Sequence, residues 1–343
     1  MRDVATRAGV SSATVSRTLR GQAVVAPETR ERVLRAVADL HYVVSPAASG
    51  LSSGRTGVVG VVAPRLTRWY YAQVVAGAGQ VLREHGFDML LQAIGDSTGR
   101  ARFFERPPLS RRVDGIIFCS IGLQPAEREV LGGMDVPLAL VGAALPGCSS
   151  ARIDDVGGAA DATAHLRDLG HRDIALISSR VEDGFAFTAP VDRRHGWEQA
   201  AHGPGRAGIQ VTAPWGVAGG AAAMAELLAS PSVPTGVFAE SDEMAFGALQ
   251  TLGRAGLTVP GDVSVIGFDD HEMADVLDLT TVAQPVRQLG QESARLLIES
   301  LQGADSQEVV LSTRLVVRGS TGPPRAVGGK QAPLAVATVT GGE

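Results

Sequence analysis

Hydrophobic and polar residues follow two different rhythms along this chain. In the first 44 residues, apolar side chains recur at the spacing of short amphipathic helices, as Val4, Ala5 and Ala8 do on one stripe. A further stripe covers 27–40 and begins with Pro27, a residue that suits the first position of a helix. The pattern predicts short helices that close a small core.

From residue 56 onward, short apolar runs alternate with longer amphipathic stretches. The apolar runs predict β-strands at 58–63, 88–91, 115–118, 137–141, 174–177, 236–239 and 263–266. The stretches between them predict helices at 71–85, 159–169, 194–201, 221–229 and 243–255. Such alternation is typical of parallel sheets covered by helices on both faces, and the rhythm resumes after Asp154. We therefore expect two α/β lobes that bind ligands at the carboxyl ends of their strands.

Composition limits the class of protein. The chain has 343 residues, of which 45% are hydrophobic and 20% charged, enough to bury two ordinary cores. No apolar run approaches the ~18 residues of a membrane span, and the N-terminus lacks the apolar segment of a secretory signal, so we expect a cytoplasmic protein. Cys119 and Cys148 show no metal-ligand spacing and are predicted to be buried thiols.

Charge is divided unevenly along the chain. Residues 1–55 contain eight arginines and four acids, a net charge of +4, whereas the whole chain carries −5. A basic head joined to an acidic body indicates a module that binds a polyanion. A solvated basic surface is the alternative that charge alone leaves open.

The second predicted helix of the head carries residues suited to DNA. Ser11 is a good N-cap for this helix, and its first turn contains the small residues Ser12, Ala13 and Thr14. Small residues allow close approach to the floor of the major groove, and Arg17, one turn later, can bond guanine with two hydrogen bonds. The pattern therefore predicts a helix-turn-helix, with a phosphate contact as the alternative for the arginine.

The string V-A-x-x-A-G-V-S-x-A-T-V-S-R at 4–17 resembles the signature of the LacI/GalR family of bacterial transcription regulators. The resemblance implies that Ser12, Ala13 and Arg17 face the major groove. It also implies that Thr14 and Ser16 hold phosphates. Arg20 stands where the family has a short polar residue, so we expect it to add a phosphate contact or to change the choice of base.

Residues 45–55 are small and polar, and by composition alone they predict a flexible linker. The family resemblance instead implies a hinge helix that orders on operator DNA, with Leu51 of each protomer wedged into the minor groove. Ser45 and Pro46 suit the start of such a helix, whereas Gly50 inside it costs about 1 kcal/mol relative to alanine. An ordinary linker residue is the alternative for the leucine.

The resemblance extends over about residues 2–322. It implies an all-α helix-turn-helix head at 1–44, the connector at 45–55, and a periplasmic-binding-protein-like body at 56–322 built from two doubly wound parallel-sheet lobes. Residues 323–343 are rich in glycine and proline and are predicted to be disordered.

Ligand-facing residues of the body are also implied by the resemblance. They are Trp69, Tyr70, Asp154, Arg193, Trp215, Asp242, Asp269 and Gln284. A guanidinium that faces a carboxylate suits paired hydroxyl groups, and a tryptophan can lie against a sugar ring. The alternatives are an ion pair for Arg193 and Asp269, helix caps for Asp154 and Asp242, and plain packing for the two tryptophans.

Motifs for nucleotide and metal chemistry are absent from the sequence. No G-x-G-x-x-G follows a strand and no P-loop occurs, whereas the short pattern G-x-S-x-G is present at 50–54 and at 95–99. The segment 271–275 resembles a zinc-binding helix but ends in aspartate instead of histidine. We therefore expect no cofactor, no bound metal and no enzymatic activity.

The sequence thus predicts a transcriptional repressor that binds a palindromic operator as a homodimer, because two heads combine the contacts of two half-sites. A small effector in the body, a sugar or glycoside, is expected to control operator affinity. Three alternatives stay open: a purine or nucleoside effector, a sugar-binding protein that binds no DNA, and an enzyme with a regulatory head.

Overall fold

The computed structural model describes residues 1–19, 24–42, 55–180, 185, 187–201 and 208–325. The chain divides into two compact units, Met1–Gly57 and Val58–Glu343, which we call the head and the body. Arg20, Leu51, the connector up to residue 54 and the tail from residue 326 lie outside the described residues. The predictions for these positions therefore stay predictions.

Helices make up the described part of the head. They are α1 (Arg2–Ala8), α2 (Ser12–Leu19) and α3 (Pro27–Asp39). Gly9 ends α1 with φ 67°, a left-handed conformation that favours glycine. The Ser11 hydroxyl accepts a hydrogen bond from the Thr14 N–H at 3.1 Å and so caps α2. The predicted helices and the predicted N-cap are confirmed.

A threonine lies in the apolar core of the head. Val4, Val15 and Val33 form the centre of this core and are fully buried. Thr18 on α2 is only 4% exposed, and its hydroxyl has no hydrogen-bond partner among the described residues. A buried hydroxyl without a partner costs about 1–3 kcal/mol. The head therefore contains a local source of instability.

We expect Thr18→Val to stabilise the head by about 1 kcal/mol, because valine has a similar shape and removes the unpaired hydroxyl. Differential scanning calorimetry of the full chain should show a higher midpoint for the transition of the head. Thr6→Val is the matched control, since Thr6 is exposed on α1. A midpoint that is unchanged or lower in Thr18→Val would contradict the argument.

One lobe of the body, lobe 1, is built on a six-stranded sheet of described residues in which every strand is parallel to its neighbours. In spatial order the strands are β11 (Glu308–Leu311), β5 (Ser149–Ile153), β4 (Leu138–Val141), β3 (Gly115–Cys119), β1 (Val58–Ala63) and β2 (Asp88–Ala93). The helices of this lobe are α4 (Trp69–Glu84), α5 (Ser97–Glu105), α6 (Pro125–Gly132) and α12 (Val286–Leu301). Cys119 is buried as predicted, but Cys148 is only half-buried.

Helices α4 and α12 pack against each other with their backbones in close approach. A Cβ atom at Gly77 would lie 2.0 Å from the carbonyl oxygen of Arg287, and one at Gly290 would lie 2.1 Å from that of Val74. Only glycine fits at both positions. The contact joins residues that are more than 200 positions apart in the sequence.

The other lobe, lobe 2, has six described strands in one sheet. In spatial order they are β12 (Arg314–Val316), β10 (Thr280–Ala283), β9 (Ser264–Asp269), β8 (Gly236–Ala239), β6 (Ile174–Ser179) and β7 (Gln210–Ala213). Its helices are α7 (Asp155–Asp168), α8 (Ala189–Ala201), α9 (Val217–Leu228), α10 (Asp242–Arg254) and α11 (Glu272–Val276). The strands are parallel except β12, which pairs antiparallel with β10. The two parallel-sheet lobes are confirmed, and the antiparallel pairing of β12 was not predicted.

The described chain passes between the lobes after β5, after β10 and after β11. These passages lie at the carboxyl ends of parallel strands, which is where open α/β sheets bind ligands. Among the residues that the structure describes, none of the helices has the length and apolar character needed to cross a membrane.

Candidate functional site

A cavity of about 330 Å³ lies between the two lobes of the body. On the side of lobe 1 it is lined by Pro64 after β1, Ser120 after β3 and Gly142 after β4. On the side of lobe 2, Ser179 at the end of β6 and Trp215 after β7 line it. Its volume falls in the range of small-molecule sites, and strand ends supply its polar groups.

Arg193 on α8 forms the floor of this cavity and is only 4% exposed. Its Nε donates to Asp155 Oδ1 at 2.8 Å, and its Nη1 donates to the carbonyl oxygen of Glu240 at 2.6 Å. Nη1 also lies 3.7 Å from Asp269 Oδ1. The guanidinium carbon stands 3.7 Å from the centroid of the Phe268 ring. These contacts fix the plane of the guanidinium against the cavity.

Asp269 ends β9 and lines the cavity next to Arg193. Gln284, also on the lining, donates from Nε2 to Asp269 Oδ1 at 2.5 Å. Burial raises the pKa of Asp269 well above its ordinary value, although Arg193 opposes the shift. Asp269 and Asp270 have φ values of 131° and 57°, in a region that costs about 1–3 kcal/mol for such residues. The fold thus holds this carboxyl group at the cavity in a strained backbone.

Glu240, which follows β8, is a further acid beside Arg193 and was not predicted. The residue is 1% exposed, and neither carboxylate oxygen has a hydrogen-bond partner in the described parts of the chain. Burial raises the pKa of Glu240 to about 7, an effect that the neighbouring Ser179 and Arg193 offset only in part. Asp155 and Asp269 already face the same guanidinium. Among the residues described, the Arg193 guanidinium is therefore surrounded by more buried carboxyl groups than its single charge can pair with.

Aromatic side chains form the walls of the cavity. Trp69 and Tyr70 lie at the start of α4 in lobe 1, and Trp215 faces them from lobe 2. The Trp69 Nε1 donates to Glu272 Oε2 at 3.0 Å, so this tryptophan also bridges the lobes. Burial raises the pKa of Tyr70 far above its ordinary value, so the phenol keeps its proton. The walls can therefore stack against a ring, and the Tyr70 hydroxyl can donate a hydrogen bond.

Asp154 was predicted to face the ligand, but it does not line the cavity, so the prediction is wrong by one residue. It is the N-cap of α7, and its Oδ1 accepts from the Gly157 N–H at 2.9 Å. Asp155 lines the cavity instead. Two neighbouring aspartates at the start of α7 could each face the cavity, but the side chain of the first one is used to cap the helix.

Asp242 was also predicted to face the ligand, and it does not line the cavity either. It is fully buried, and its oxygens accept from the Thr281 hydroxyl at 2.6 Å and from the His271 N–H at 2.8 Å. Ser241 caps α10, and Glu243 is the acid of this turn that lines the cavity. Asp242 therefore joins the ends of neighbouring strands and lies behind the cavity.

Five of the predicted DNA-facing residues lie on α2 of the head, while Arg20 and Leu51 are outside the described residues. Ser12, Ala13 and Arg17 are exposed, while Thr14 and Ser16 are half-buried. The Thr14 hydroxyl lies 2.9 Å from the Ser11 hydroxyl, within the capping turn. The exposed Arg17 side chain can therefore extend from the helix surface.

Comparisons with known proteins agree with both units. A model of "Bacterial regulatory proteins, lacI family" matches residues 1–45, and one of a "Periplasmic binding protein-like domain" matches residues 163–321. The HTH-type transcriptional regulator CelR of Thermobifida fusca is 35% identical over 338 residues, which cover 92% of this chain and 96% of CelR. The chain belongs to the LacI family. It is a DNA-binding transcriptional regulator, as predicted.

Other LacI-family proteins align along nearly the same length. The HTH-type transcriptional repressor CytR of Escherichia coli (strain K12) is 30% identical over 94% of this chain and 96% of its own. The solved CelR–cellobiose complex has 34% identity and a TM-score of 0.69, covering 93% of this chain and 98% of that one. The lac repressor dimer bound to operator and the anti-inducer ONPF has 27% identity and a TM-score of 0.84, with the same coverage.

Sequence reasoning about this LacI-family regulator missed Arg68, Asp155, Glu240 and Glu243. Three of them line the cavity, and Glu240 lies behind its floor. Glu243 follows Asp242 directly, and residue type alone does not show which of the two acids lines the cavity. For Arg68, the partners lie in another lobe, so no local pattern identifies it.

Proposed function

We propose that this regulator is a cytoplasmic homodimer that represses transcription from a palindromic operator and has no enzymatic activity. A single small head contacts few base pairs, and a dimer doubles the contacts on a symmetric site. The target of a bacterial transcriptional regulator is the chromosome, which supports the cytoplasmic location. Effector binding in the body changes the operator affinity, with a coupling of about 1–3 kcal/mol.

The proposed effector is a sugar or glycoside. The observation that carries this proposal is the Arg193 guanidinium held between Asp155 and Asp269 on the cavity floor. A fixed donor plane flanked by carboxylate acceptors matches adjacent hydroxyl groups of a sugar. The aromatic walls match the apolar faces of its rings. The similarity to the CelR–cellobiose complex supports a short saccharide, so cellobiose is the first probe.

A purine or nucleoside is the second candidate, because the same aromatic walls can stack a base. The repressors CytR and PurR are among the LacI-family relatives. Carboxyl groups on the floor favour hydroxyl donors over the ring acceptors of a base. We therefore rank the sugar first.

Thermal-shift screening of the full chain tests this choice. Cellobiose, glucose, ribose, hypoxanthine and adenosine are compared, since a ligand at about 100 times its Kd stabilises the folded state by about 2.7 kcal/mol. Stabilisation by a sugar supports the proposal. Stabilisation by the purines alone would replace the sugar with the second candidate.

Asp269→Asn should lower the affinity for the sugar found in this screen by at least about tenfold, because the variant replaces a carboxyl oxygen on the floor with an amide NH2 that cannot accept a hydrogen bond. Isothermal titration calorimetry measures the loss, and operator affinity without sugar should not change. Asp305→Asn, at an exposed acid, is the control. A full sugar response in Asp269→Asn would place sugar recognition elsewhere.

A further inference from the structure

Arg68 reaches from lobe 1 into lobe 2. It is the N-cap residue of α4, beside the cavity. Its Nη1 donates to Glu243 Oε2 at 2.9 Å, and its Nη2 donates to the carbonyl oxygen of Trp215 at 3.2 Å. The side chains of Arg68 and Glu243 are each 21% exposed, so water screens this ion pair only partly. The guanidinium fork thus joins two residues of the opposite lobe.

The same carboxylate also holds the indole ring. The Trp215 Nε1 donates to Glu243 Oε2 at 3.1 Å, so the ring has no free N–H for a ligand. The guanidinium carbon of Arg68 lies 5.8 Å from the centroid of the ring, within the range of a cation–π contact. The indole can therefore contact a ligand in the cavity through its π surface.

The backbone leaves room for the arginine. Gly216, next to Trp215, has φ 107°, and a Cβ there would lie 2.9 Å from Arg68 Nη1. Any side chain at this position would displace the guanidinium. Glycine at position 216 therefore allows the guanidinium of Arg68 to approach the backbone, and the positive φ of this residue also favours glycine.

We propose that Arg68 and Glu243 position the Trp215 indole as a stacking wall for one sugar ring, and that the wall is complete only when the two lobes meet. This inference rests on the proposed sugar effector. Glu243 fixes the edge of the indole, while Arg68 supplies the contact from lobe 1. Lysine could not replace Arg68 fully, because a single ammonium lacks the planar fork that reaches both acceptors.

The first test needs no sugar. The chain contains three tryptophans, and Trp197 is only 2% exposed, so Trp69→Phe leaves Trp215 as the tryptophan that acrylamide can reach. In that background, Arg68→Met and Glu243→Ala should each increase acrylamide quenching. Arg295→Met is the matched control, because Arg295 pairs with Glu292 and Glu299 on its own helix.

The second test uses cellobiose and glucose with the native tryptophans. Loss of an ordered aromatic wall should reduce the cellobiose affinity of Arg68→Met by about tenfold. Arg68→Lys should recover part of the loss, and Arg295→Met should bind as the wild type does. Circular dichroism establishes that each variant is folded.

Unchanged quenching in both Arg68→Met and Glu243→Ala would overturn the inference, as would equal quenching in Arg295→Met. Increased quenching together with unchanged cellobiose affinity would overturn the role of the wall in sugar binding. If neither cellobiose nor glucose binds the wild type, the role of the wall in binding these sugars fails, whereas the quenching result still decides whether Arg68 and Glu243 hold the indole.

Discussion

Arg17→Ala is expected to weaken operator binding by about 2 to 6 kcal/mol, because each bidentate contact between arginine and guanine contributes about 1–3 kcal/mol and a dimer makes two. Arg17 is exposed on α2, one turn beyond the small residues Ser12 and Ala13. This position lets the helix approach the groove floor while the arginine reaches a base edge. Binding to DNA of random sequence should decrease only slightly, since it depends on phosphate contacts.

Fluorescence anisotropy at one fixed salt concentration measures both affinities, with an operator selected from a genomic fragment library. Arg35→Ala is the control, because Arg35 is an exposed arginine that pairs with Glu31 on α3. An equal loss on operator and random DNA would assign Arg17 to phosphate binding. Failure of the library to yield a palindrome would remove the operator from the proposal.

Glu240→Gln is expected to change how the stability of the body depends on pH. Glu240 has an ordinary pKa of 4.5, which burial in the folded chain raises to about 7. Between these two values the folded state keeps a proton that the unfolded state releases. Stability therefore falls as pH rises through this window, by about 3 kcal/mol in total. Below it both states are protonated, and above it the full loss remains.

Glutamine carries no charge at any pH, so the variant should lack this loss. Urea unfolding of the body at pH 4.5 and pH 8 should show a decrease for the wild type that exceeds the decrease for Glu240→Gln by about 3 kcal/mol. Glu226→Gln, at an exposed glutamate of α9, should keep the wild-type profile. Parallel profiles for the wild type and Glu240→Gln would refute the argument.

The elements of this fold were largely predictable because local rules decide them. The apolar run at 58–63 gave β1 with the observed bounds, and Pro27 marked the start of α3. Ser11 was identified as an N-cap by residue type alone, and the hydrogen bond is present. The antiparallel pairing of β12 depends on where the chain returns after β11, which no local pattern contains.

The candidate site was less predictable because its contacts are long-range. Arg68 and Glu243 are separated by 175 positions, and neither stands out in its own segment. At Asp154 and Asp242 the acids were located to within one residue. Asp154 is used to cap α7, and Asp242 accepts hydrogen bonds from Thr281 and His271, so in each pair the next acid faces the cavity. Glu240 stayed hidden because the sequence does not show that its carboxylate is buried.

The contact between α4 and α12 has a consequence for synthesis on the ribosome. Translation completes the first 85 residues long before α12 and β11 emerge, yet lobe 1 needs both to cover α4 and to finish its sheet. Lobe 1 therefore emerges first but cannot finish folding until nearly the whole body has been synthesised. At a synthesis rate of about 5–20 residues per second, the apolar surfaces of lobe 1 stay exposed for some ten seconds or more before α12 and β11 are made. During this time the nascent chain depends on protection from aggregation.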